Sequence, residues 1–319
     1  MGERMPSSEP HPELEHWRTN VGDAVHVDGV ATAADRLDGV DVLCWNVAIG
    51  LGRLDALLDQ LRAGAFGAHA PSAERPLVIL LQEAFRVDPS IPGTARSHHH
   101  GGRAPAARPT RRRSDVVEFA RQAELSLYFA PSMRNGAHAS DRGNAILSTA
   151  RLVDADAHLL PYVRQRRVVV SAALDGHPRL RFMSAHLDTH GRSTSGTGRS
   201  RPGSGRASQA RALATLITRA GGSTVLGADL NSVLGMSDPA VSELVRAGMH
   251  PARRVGAWRH TFHTPFKLLV DHVMFRCTDA RITSAEVLRL DEAPRDRSRS
   301  VFGSDHHPLL ARIDFKRGT

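Results

Sequence analysis

Short apolar runs of strand length, most of them meeting a polar residue at one end, are the feature that most constrains the fold of this chain. They begin at Val40 and recur almost to the C-terminus. Runs of this length, bounded by turn-forming residues, are typical of buried β-strands. The predicted strands are "VDVLCWN", "PLVILLQ", "NAILST", "RVVVSAAL", "LRFMSAH", "STVLGAD", "LLVDHVMF" and "PLLARIDF".

Helical patterns lie between some of these runs. Leu54, Leu57, Leu58 and Leu61 recur at the spacing of one helix face. Two further helices are predicted over 207–220 and 238–247, the second capped by Ser237 or Asp238 with a proline in its first turn. A fourth is predicted over 114–125, with Ser114 as its cap. Strands interspersed with helices indicate an α/β fold.

Residues 1–38 are polar and contain proline, so they are predicted to form a loosely ordered leader. A single domain is predicted over residues 39–315, because the chain shows neither an internal repeat nor a mid-chain linker. Two stretches inside it, 93–113 and 190–211, are rich in arginine and contain no acid, and they are predicted to be irregular loops. Arg142, Arg166 and Arg167 are interpreted as solvated surface charge.

The chain is basic, with a net charge of +9 from 42 Lys and Arg against 33 Asp and Glu. A positive surface favours anionic partners such as phosphates, nucleic acid or lipid head groups. The N-terminus has no signal-peptide pattern, and no apolar run approaches the length of a membrane span. These observations predict a soluble, cytoplasmic protein, and we expect a monomer.

Polar residues at the ends of several strands could meet at one edge of the sheet system. Each is by itself explained as a strand-closing residue whose side chain binds local backbone. Asp271 is different, because a carboxylate inside an apolar run is costly to bury unless it is paired. The set comprises Asn46, Gln82–Glu83, His186, Asp229, Asn231, Asp271 and Asp305–His306.

The residue types in this set point to metal-assisted attack on a phosphate ester. Carboxylates and an amide, without a thiolate, suit a hard divalent cation such as Mg²⁺ or Mn²⁺. Histidine next to aspartate suits proton transfer or phosphate binding. The combination predicts a metal-dependent hydrolase of phosphoesters.

The order of the motifs resembles the endonuclease/exonuclease/phosphatase superfamily, which includes pancreatic-type deoxyribonucleases, apurinic endonucleases, sphingomyelinases and inositol-polyphosphate phosphatases. The resemblance covers about residues 39–315 and rests on "CWNV", "LLQE", "RGNAILS", "SAHLDT", "GADLNS", "LLVDHVMF" and "SDHHP". We therefore expect a four-layered sandwich of two packed, mixed β-sheets flanked by helices, with the active site at one edge.

The resemblance also implies roles for individual residues. Glu83, Asn46 and Asp305 are expected to hold the metal. The other assignments concern catalysis: Asp229 orients or deprotonates the attacking water, Asn231 binds water or phosphate, His306 contacts the phosphate, Asp271 fixes the tautomer of His306, and His186 is a second phosphate-facing histidine or the leaving-group acid.

Arg86 and Asn144 are predicted substrate-binding residues. Arg86 follows the metal glutamate as an arginine does in pancreatic-type nucleases, where it touches DNA, and Asn144 belongs to "RGNAILS". The sequence departs from the apurinic endonucleases in having Ala48 where they carry a second metal-associated acid, and His186 where they carry a tyrosine. These differences weaken the abasic-site interpretation without affecting the general one.

Three functions remain open at this point. The arginine-rich stretches favour a nuclease acting on DNA or RNA, because they could neutralise several phosphates. A phospholipid or inositol-phosphate phosphoesterase is the alternative within the enzyme class. A non-catalytic module that binds nucleic acid or a phospho-ligand is the alternative outside it. The joint presence of Glu83, Asp229 and His306 favours an enzyme, since a binding module needs no metal carboxylate.

Overall fold

The computed structural model describes residues 17–29, 37–72, 74–92, 113–135, 139–189, 204–263, 266–278, 282–292 and 301–316 of the chain. Their strands are β1 (Val25–Val27), β2 (Gly39–Asn46), β3 (Leu77–Val87), β4 (Ser126–Arg134), β5 (Ser140–Ser148), β6 (Leu152–Leu159), β7 (Val168–Leu174), β8 (His177–His186), β9 (Ser223–Asp229), β10 (His250–Pro251), β11 (Arg253–Val255), β12 (Asp271–Arg276), β13 (Ile282–Arg289) and β14 (Leu309–Phe315).

The strands form two mixed sheets. The larger has eight strands in the order β1-β4-β5-β3-β2-β14-β13-β11, and the smaller has six in the order β10-β12-β9-β8-β7-β6. The neighbours β2 and β3 run parallel, as do β8 and β9. Most other pairs are antiparallel. The predicted class, an α/β sandwich of two packed mixed sheets flanked by helices, is confirmed.

The two-residue period of a β-strand distributes the side chains of β2 between two cores. Val42 and Cys44 pack in the cluster between the sheets, where they join residues such as Phe182 of the smaller sheet. Leu43 and Trp45 point the other way and pack beneath the helices on the outer face of the larger sheet. Burial on both faces explains why the run is continuously apolar.

Four helices among the described residues provide the outer layers: α1 (Leu54–Arg62), α2 (Val116–Gln122), α3 (Ser204–Arg219) and α4 (Pro239–Arg246). The leucines of α1 and the apolar face of α2 pack on the larger sheet. The apolar faces of α3 and α4 pack on the smaller sheet. No described helix combines the length and the apolar character that a membrane span requires.

Two helix caps show how local sequence fixes the helix starts. Asp238 caps α4 by accepting the amide of Ala240, and Pro239 occupies the first turn, as predicted. In α2, however, Asp115 and not Ser114 is the cap, and its carboxylate accepts the amides of Val117 and Glu118. The predicted helix start is therefore one residue too early.

Several strands were not predicted, because they lie near sheet edges or carry a breaker. β1, β10 and β11 are only two or three residues long, and β13 is half polar. β4 contains Pro131, which sits at an irregularity in its pairing with β5. Conversely, "LLVDHVMF" becomes a strand only from Asp271 onward.

The domain begins earlier than predicted. β1 pairs with β4 at the edge of the larger sheet, and the amide of Gly22 donates to the carboxylate of Asp141. Residues 17–29 therefore belong to the fold and are not a loose leader. The remainder of the predicted leader, 1–16 and 30–36, lies outside the described residues.

The arginine-rich stretches lie largely outside the described residues as well. Of 93–113 the structure describes Arg113 alone, and of 190–211 it describes 204–211. The described part of the second stretch is helical, because α3 begins at Ser204. The prediction of an irregular loop is therefore wrong for 204–211, and the overlapping prediction of a helix from 207 onward is confirmed.

Arg86 forms a buried ion pair inside the larger sheet. Its guanidinium Nε donates to Asp141 at 3.0 Å, its Nη2 contacts the same carboxylate, and its Nη1 donates to the carbonyl of Asp23 at 2.7 Å. The side chain also stacks over Phe129, 5.0 Å from the ring centroid. This is a structural role, so the prediction that Arg86 binds substrate is wrong.

We predict that Asp141→Ala lowers the free energy of unfolding by about 3–5 kcal/mol, because it leaves the buried Arg86 guanidinium without its counter-charge. Urea denaturation followed by circular dichroism would measure the loss. The control is Glu286→Ala, which breaks an exposed pair with Arg253 and should cost less than about 1 kcal/mol. Equal losses in the two variants would contradict a stabilising role for the buried pair.

Candidate active site

The strand directions bring the polar strand ends to one edge of the sandwich. β2, β8 and β9 end there with Asn46, His186 and Asp229. The antiparallel β12 begins there with Asp271, which lies directly opposite Asp229 in the ladder. His306 precedes β14 and reaches the same edge, as the contacts below show.

Glu83 leaves the regular ladder of β3 through a bulge. The pairing with β5 is regular up to Leu81 and resumes at Ala84, and Glu83 itself has a φ of 54°. A left-handed conformation costs on the order of 1 kcal/mol or more for a residue with a Cβ, and such strain is concentrated at functional sites. The bulge leaves Glu83 half-buried, whereas its neighbour Gln82 is fully buried.

Gln82 fixes this point of the sandwich. Its amide Nε2 donates to Ser184 Oγ at 3.0 Å and to the carbonyl of Gly227 at 3.3 Å, both in the smaller sheet. Ser184 Oγ in turn donates to the carbonyl of Leu81. These bonds hold the two sheets together directly beneath Glu83, so they position the carboxylate relative to His186 and Asp229.

His306 and Asp271 form a buried hydrogen-bonded pair, with Nδ1 of the imidazole 2.8 Å from Oδ2 of the carboxylate. The loop that carries His306 is held by three further bonds. Trp45 Nε1 donates to the carbonyl of His306 at 2.9 Å, the amide of His306 donates to Ser304 Oγ at 3.1 Å, and Ser304 Oγ donates to the carbonyl of Asn46 at 2.6 Å.

The carboxylates around His306 stabilise its protonated form. Burial lowers the pKa of this histidine, but the charge and hydrogen bond of Asp271, assisted by Asp229 and Asp305, outweigh burial and raise the pKa to about 10. The ring also packs against Phe262, with 4.9 Å between centroids. Around neutral pH His306 is therefore a cation inside an acidic pocket.

Asp229 lies at the centre of the cluster. It accepts the side-chain amide of Asn46 and the backbone amide of Asn231, each at 2.9 Å. His186 Nε2 and His306 Nε2 lie 3.4 Å and 3.9 Å from its Oδ2. Burial and the neighbouring charge of Asp271 raise the pKa of Asp229, although His306 and the two amides oppose this. A carboxylate of raised basicity is suited to accept a proton.

His186 is neutral in this environment. Burial is the main cause of its lowered pKa, followed by the nearby charges of Arg167 and His306. Its Nε2 lies 3.1 Å from Nδ2 of Asn231, which also donates to the carbonyl of Leu187 at 2.9 Å. Asn231 has a φ of 49°, a second strained position at this edge. A neutral histidine serves here as a hydrogen-bonding group rather than as a strong acid.

The donor set fits a hard divalent cation. One described group brings donor atoms within 4.8 Å of one another, namely Asp229, Asp271 and His306, and Oδ1 of Asp271 is buried without a hydrogen-bond partner. Because His306 carries a proton in this group, its imidazole is not suited to bind a metal. The carboxylates of Glu83 and Asp305, both half-buried, and the amide oxygen of Asn46 are oxygen donors of the kind that suits Mg²⁺ or Mn²⁺.

Asn144 does not face a substrate. It is buried, and its Nδ2 donates to the carbonyl of Val168 at 2.6 Å and to that of Ser184 at 3.4 Å. The amide of this β5 residue thus binds β7 and β8 of the opposite sheet. The prediction of a substrate-binding role is corrected to one of holding the sheets together.

Two groups of functional residues were missed from the sequence. Thr261 Oγ1 accepts the amide of Asp271 at 3.0 Å, and with Ser304 it fixes the backbone that carries the acid–base pair. Thr261 and Ser304 lie outside the predicted strands, so the strand pattern could not indicate their role. The interpretation of Arg142, Arg166 and Arg167 as solvated charge is wrong, because Arg142 is half-buried and the other two are 0% and 3% exposed.

Comparisons with known proteins agree with this geometry. The sequence profile of the Endonuclease/Exonuclease/phosphatase family matches residues 43–306. No curated protein sequence matches the chain. Similar solved structures include a protein of that family from Leptotrichia buccalis C-1013-b, with a TM-score of 0.55 at 14% identity, covering 86% of this chain and 100% of that one.

Two more solved structures share the fold. An endonuclease/exonuclease/phosphatase from Beutenbergia cavernae DSM 12333 has a TM-score of 0.52 at 18% identity and covers 87% of this chain and 72% of that one. A humanized D. rerio TDP2 with 14 mutations has a TM-score of 0.50 at 16% identity and covers 87% and 99%. At such identities the likeness establishes the fold alone.

The charge on His306 can be tested by titration. Because its pKa is raised to about 10, the imidazole should keep its proton as the pH rises through 8, and Asp271→Asn should lower the pKa by removing the main stabilising charge. NMR of histidine-labelled protein in EDTA would measure both, with His306→Gln assigning the resonance. An ordinary histidine titration that Asp271→Asn leaves unchanged would contradict this assignment.

Proposed function

The chain belongs to the endonuclease/exonuclease/phosphatase family, whose members hydrolyse phosphoester bonds with divalent metals, and on this basis we propose that it is a Mg²⁺- or Mn²⁺-dependent phosphodiesterase that acts on nucleic acid. The observation that carries the proposal is the cluster at the sandwich edge. The His306–Asp271 pair faces Asp229, which in turn contacts Asn46, Asn231 and His186.

We assign the metal to Glu83, Asn46 and Asp305. A divalent cation held there would polarise a phosphoryl oxygen and neutralise charge that develops on it during attack. The strained bulge at Glu83 supports the assignment, because the bulge turns this carboxylate out of the ladder into a half-buried position. Regular pairing would have kept it among buried neighbours.

Asp229 is the residue that accepts a proton from the attacking water. Two amide donors fix its orientation, Asn46 through the side chain and Asn231 through the backbone. Burial raises its pKa and therefore its basicity. Asn231 and neutral His186 are positioned to hydrogen-bond the water or a phosphoryl oxygen.

His306 supplies positive charge to the phosphate. As a cation it donates a stronger hydrogen bond to a phosphoryl oxygen than a neutral imidazole could. Asp271 holds its Nδ1 at 2.8 Å and leaves Nε2 for the substrate. The buried loop contacts from Trp45 and Ser304 keep this geometry fixed before substrate arrives.

Nucleic acid is favoured as substrate because the chain carries a net charge of +9. In addition, half-buried Arg142 and buried Arg167 lie within electrostatic reach of Glu83. Phosphate-dense polymers bind such surfaces through charge neutralisation. A phospholipid is a second candidate, and a separate observation supports it. Val233 and Leu234, which follow Asn231 closely, are 52% and 64% exposed, and exposed apolar side chains beside a site are suited to a lipid.

We predict metal-dependent turnover that Glu83→Gln and His306→Gln each lower by about 10²–10⁴ in kcat/KM, because each removes a charge that stabilises the transition state. Purified protein with Mg²⁺ or Mn²⁺ would be assayed against plasmid DNA, single-stranded DNA, RNA, sphingomyelin, inositol phosphates and bis-p-nitrophenyl phosphate. A chelator should abolish the activity. The substrate turned over best identifies the subclass.

Exposed residues of the same types provide matched controls. Glu118→Gln on α2 and His69→Gln lie on the surface and should leave turnover unchanged. Circular dichroism would establish that all four variants fold. Salt-sensitive DNA binding without turnover on any substrate would reject the hydrolase and indicate the non-catalytic binding module.

A further inference from the structure

The residues of the site form two parallel rows, one in each sheet. In the larger sheet neighbouring strands contribute, in order, Arg142 (β5), Glu83 (β3), Asn46 (β2) and His306 (before β14). In the smaller sheet neighbouring strands contribute Arg167 (before β7), His186 (β8), Asp229 (β9) and Asp271 (β12). Each row therefore starts with an arginine and ends with one member of the His306–Asp271 pair.

The strand order separates the two ends of each row. Three strand spacings lie between β5 and β14, and three between β7 and β12. At about 4.8 Å per spacing, the arginine end is roughly 14 Å of sheet away from the His306–Asp271 end. The site is thus long enough to contact more than the group that reacts at Asp229 and His306.

Arg167 is a buried cation at the arginine end of the smaller sheet. Its Nη2 donates to Gln165 Oε1 at 2.5 Å, while its Nε is buried with no hydrogen-bond acceptor. No ion pair forms between Arg167 and a carboxylate of the described residues. Asp188, Glu83 and Asp229 act on it through space, and burial lowers its pKa in spite of them. An uncompensated buried guanidinium is costly unless an anion binds to it.

Arg142 also has a guanidinium nitrogen without an acceptor, and its partial exposure makes the arginine end accessible from solvent. It is half-buried, and its Nη1 donates to Asn135 Oδ1 at 2.6 Å. Its Nε is buried without an acceptor. Arg142 lies near enough to Arg167 and to Arg113 to repel both. The carboxylate of Glu83 acts through space on all three of these guanidiniums.

Glu83 does not balance this charge. It is one carboxylate against three guanidiniums, and in the proposed function it also binds a divalent cation, which would make the deficit of negative charge larger. The other acids near the arginines have partners of their own. Asp188, whose charge acts most strongly on Arg167, accepts the amides of Arg164 and Gln165. Asp229 accepts the amide of Asn46, and Asp271 bonds His306. An anionic ligand would supply the counter-charge that these carboxylates do not.

We propose that Arg142 and Arg167 form a second phosphate subsite, which binds a phosphate group of the substrate next to the one that reacts. The proposal rests on the phosphodiesterase function above and specifies its substrate class as a molecule with at least two phosphates. Guanidinium groups suit this task because they donate paired hydrogen bonds to phosphate oxygens. The subsite requires no metal, since its charge is carried by the chain itself.

A binding experiment without metal tests the subsite separately from catalysis. Thymidine 3′,5′-bisphosphate would be titrated by calorimetry into the full chain in EDTA. We expect saturable binding that Arg142→Gln and Arg167→Gln each weaken by about 10- to 100-fold, while Arg151→Gln, an exposed arginine elsewhere, leaves it unchanged. Absence of binding to the wild-type chain, or binding unaffected by both variants, would overturn the proposal.

A kinetic comparison then identifies which phosphate the arginines hold. Thymidine 5′-(p-nitrophenyl phosphate) would be compared with its 3′-phosphorylated form. Arg142→Gln should raise KM for the 3′-phosphorylated substrate and leave KM for the other unchanged. An equal rise for both substrates would mean that the arginines act on the reacting phosphate, and would overturn the second subsite. Because Arg142 is half-buried, its variant serves even where Arg167→Gln fails to fold.

Discussion

The direct juxtaposition of Asp229 and Asp271 is the constraint on which the site depends. The two carboxylates are opposite neighbours in the β9–β12 ladder, and both are 1% exposed. Two buried carboxylates on paired residues of adjacent strands repel each other, which favours protonation of one of them. Protonated His306 relieves the repulsion, because it bonds Asp271 and faces Asp229. The position of the His306 loop, and with it the contacts of Trp45 and Ser304, follows from this charge requirement.

Two residues of the site have a strained backbone, and both lie where the chain departs from regular strand geometry. Glu83 and Asn231 both have positive φ, although neither is glycine. Glu83 follows Gln82, whose side-chain amide donates to Ser184 of the opposite sheet. Asn231 follows Leu230, whose backbone amide donates to the carbonyl of Val270. The rigid sandwich can hold these unfavourable conformations, since unfolding them would also break the bonds of the buried core.

The sequence was sufficient for the parts of the fold that rest on continuous apolar runs and for the polar residues that end them. β2 and β9 were predicted because both faces of each are buried, which leaves a nearly continuous apolar run. β1 was missed because a three-residue edge strand carries little pattern, and β13 because half of its residues are polar. Arg86, Asn144 and Arg167 were misjudged for a different reason. Burial of a polar side chain depends on partners distant in sequence, such as Asp141 for Arg86, and no local pattern reveals them.

The arginine end and the His306–Asp271 end of the site differ in charge, so the site is asymmetric along its length. At one end Arg142 and Arg167 form no ion pair with a carboxylate among the described residues, and their Nε atoms are buried without acceptors. At the other end the charges of Asp229, Asp271 and Asp305 act on His306. A substrate with two phosphates would therefore bind in one direction only, with the extra phosphate at the arginine end and the reacting one at Asp229. The phosphate that does not react would then position the scissile bond at Asp229. In this way binding energy from a part of the substrate distant from the reacting atoms contributes to catalysis.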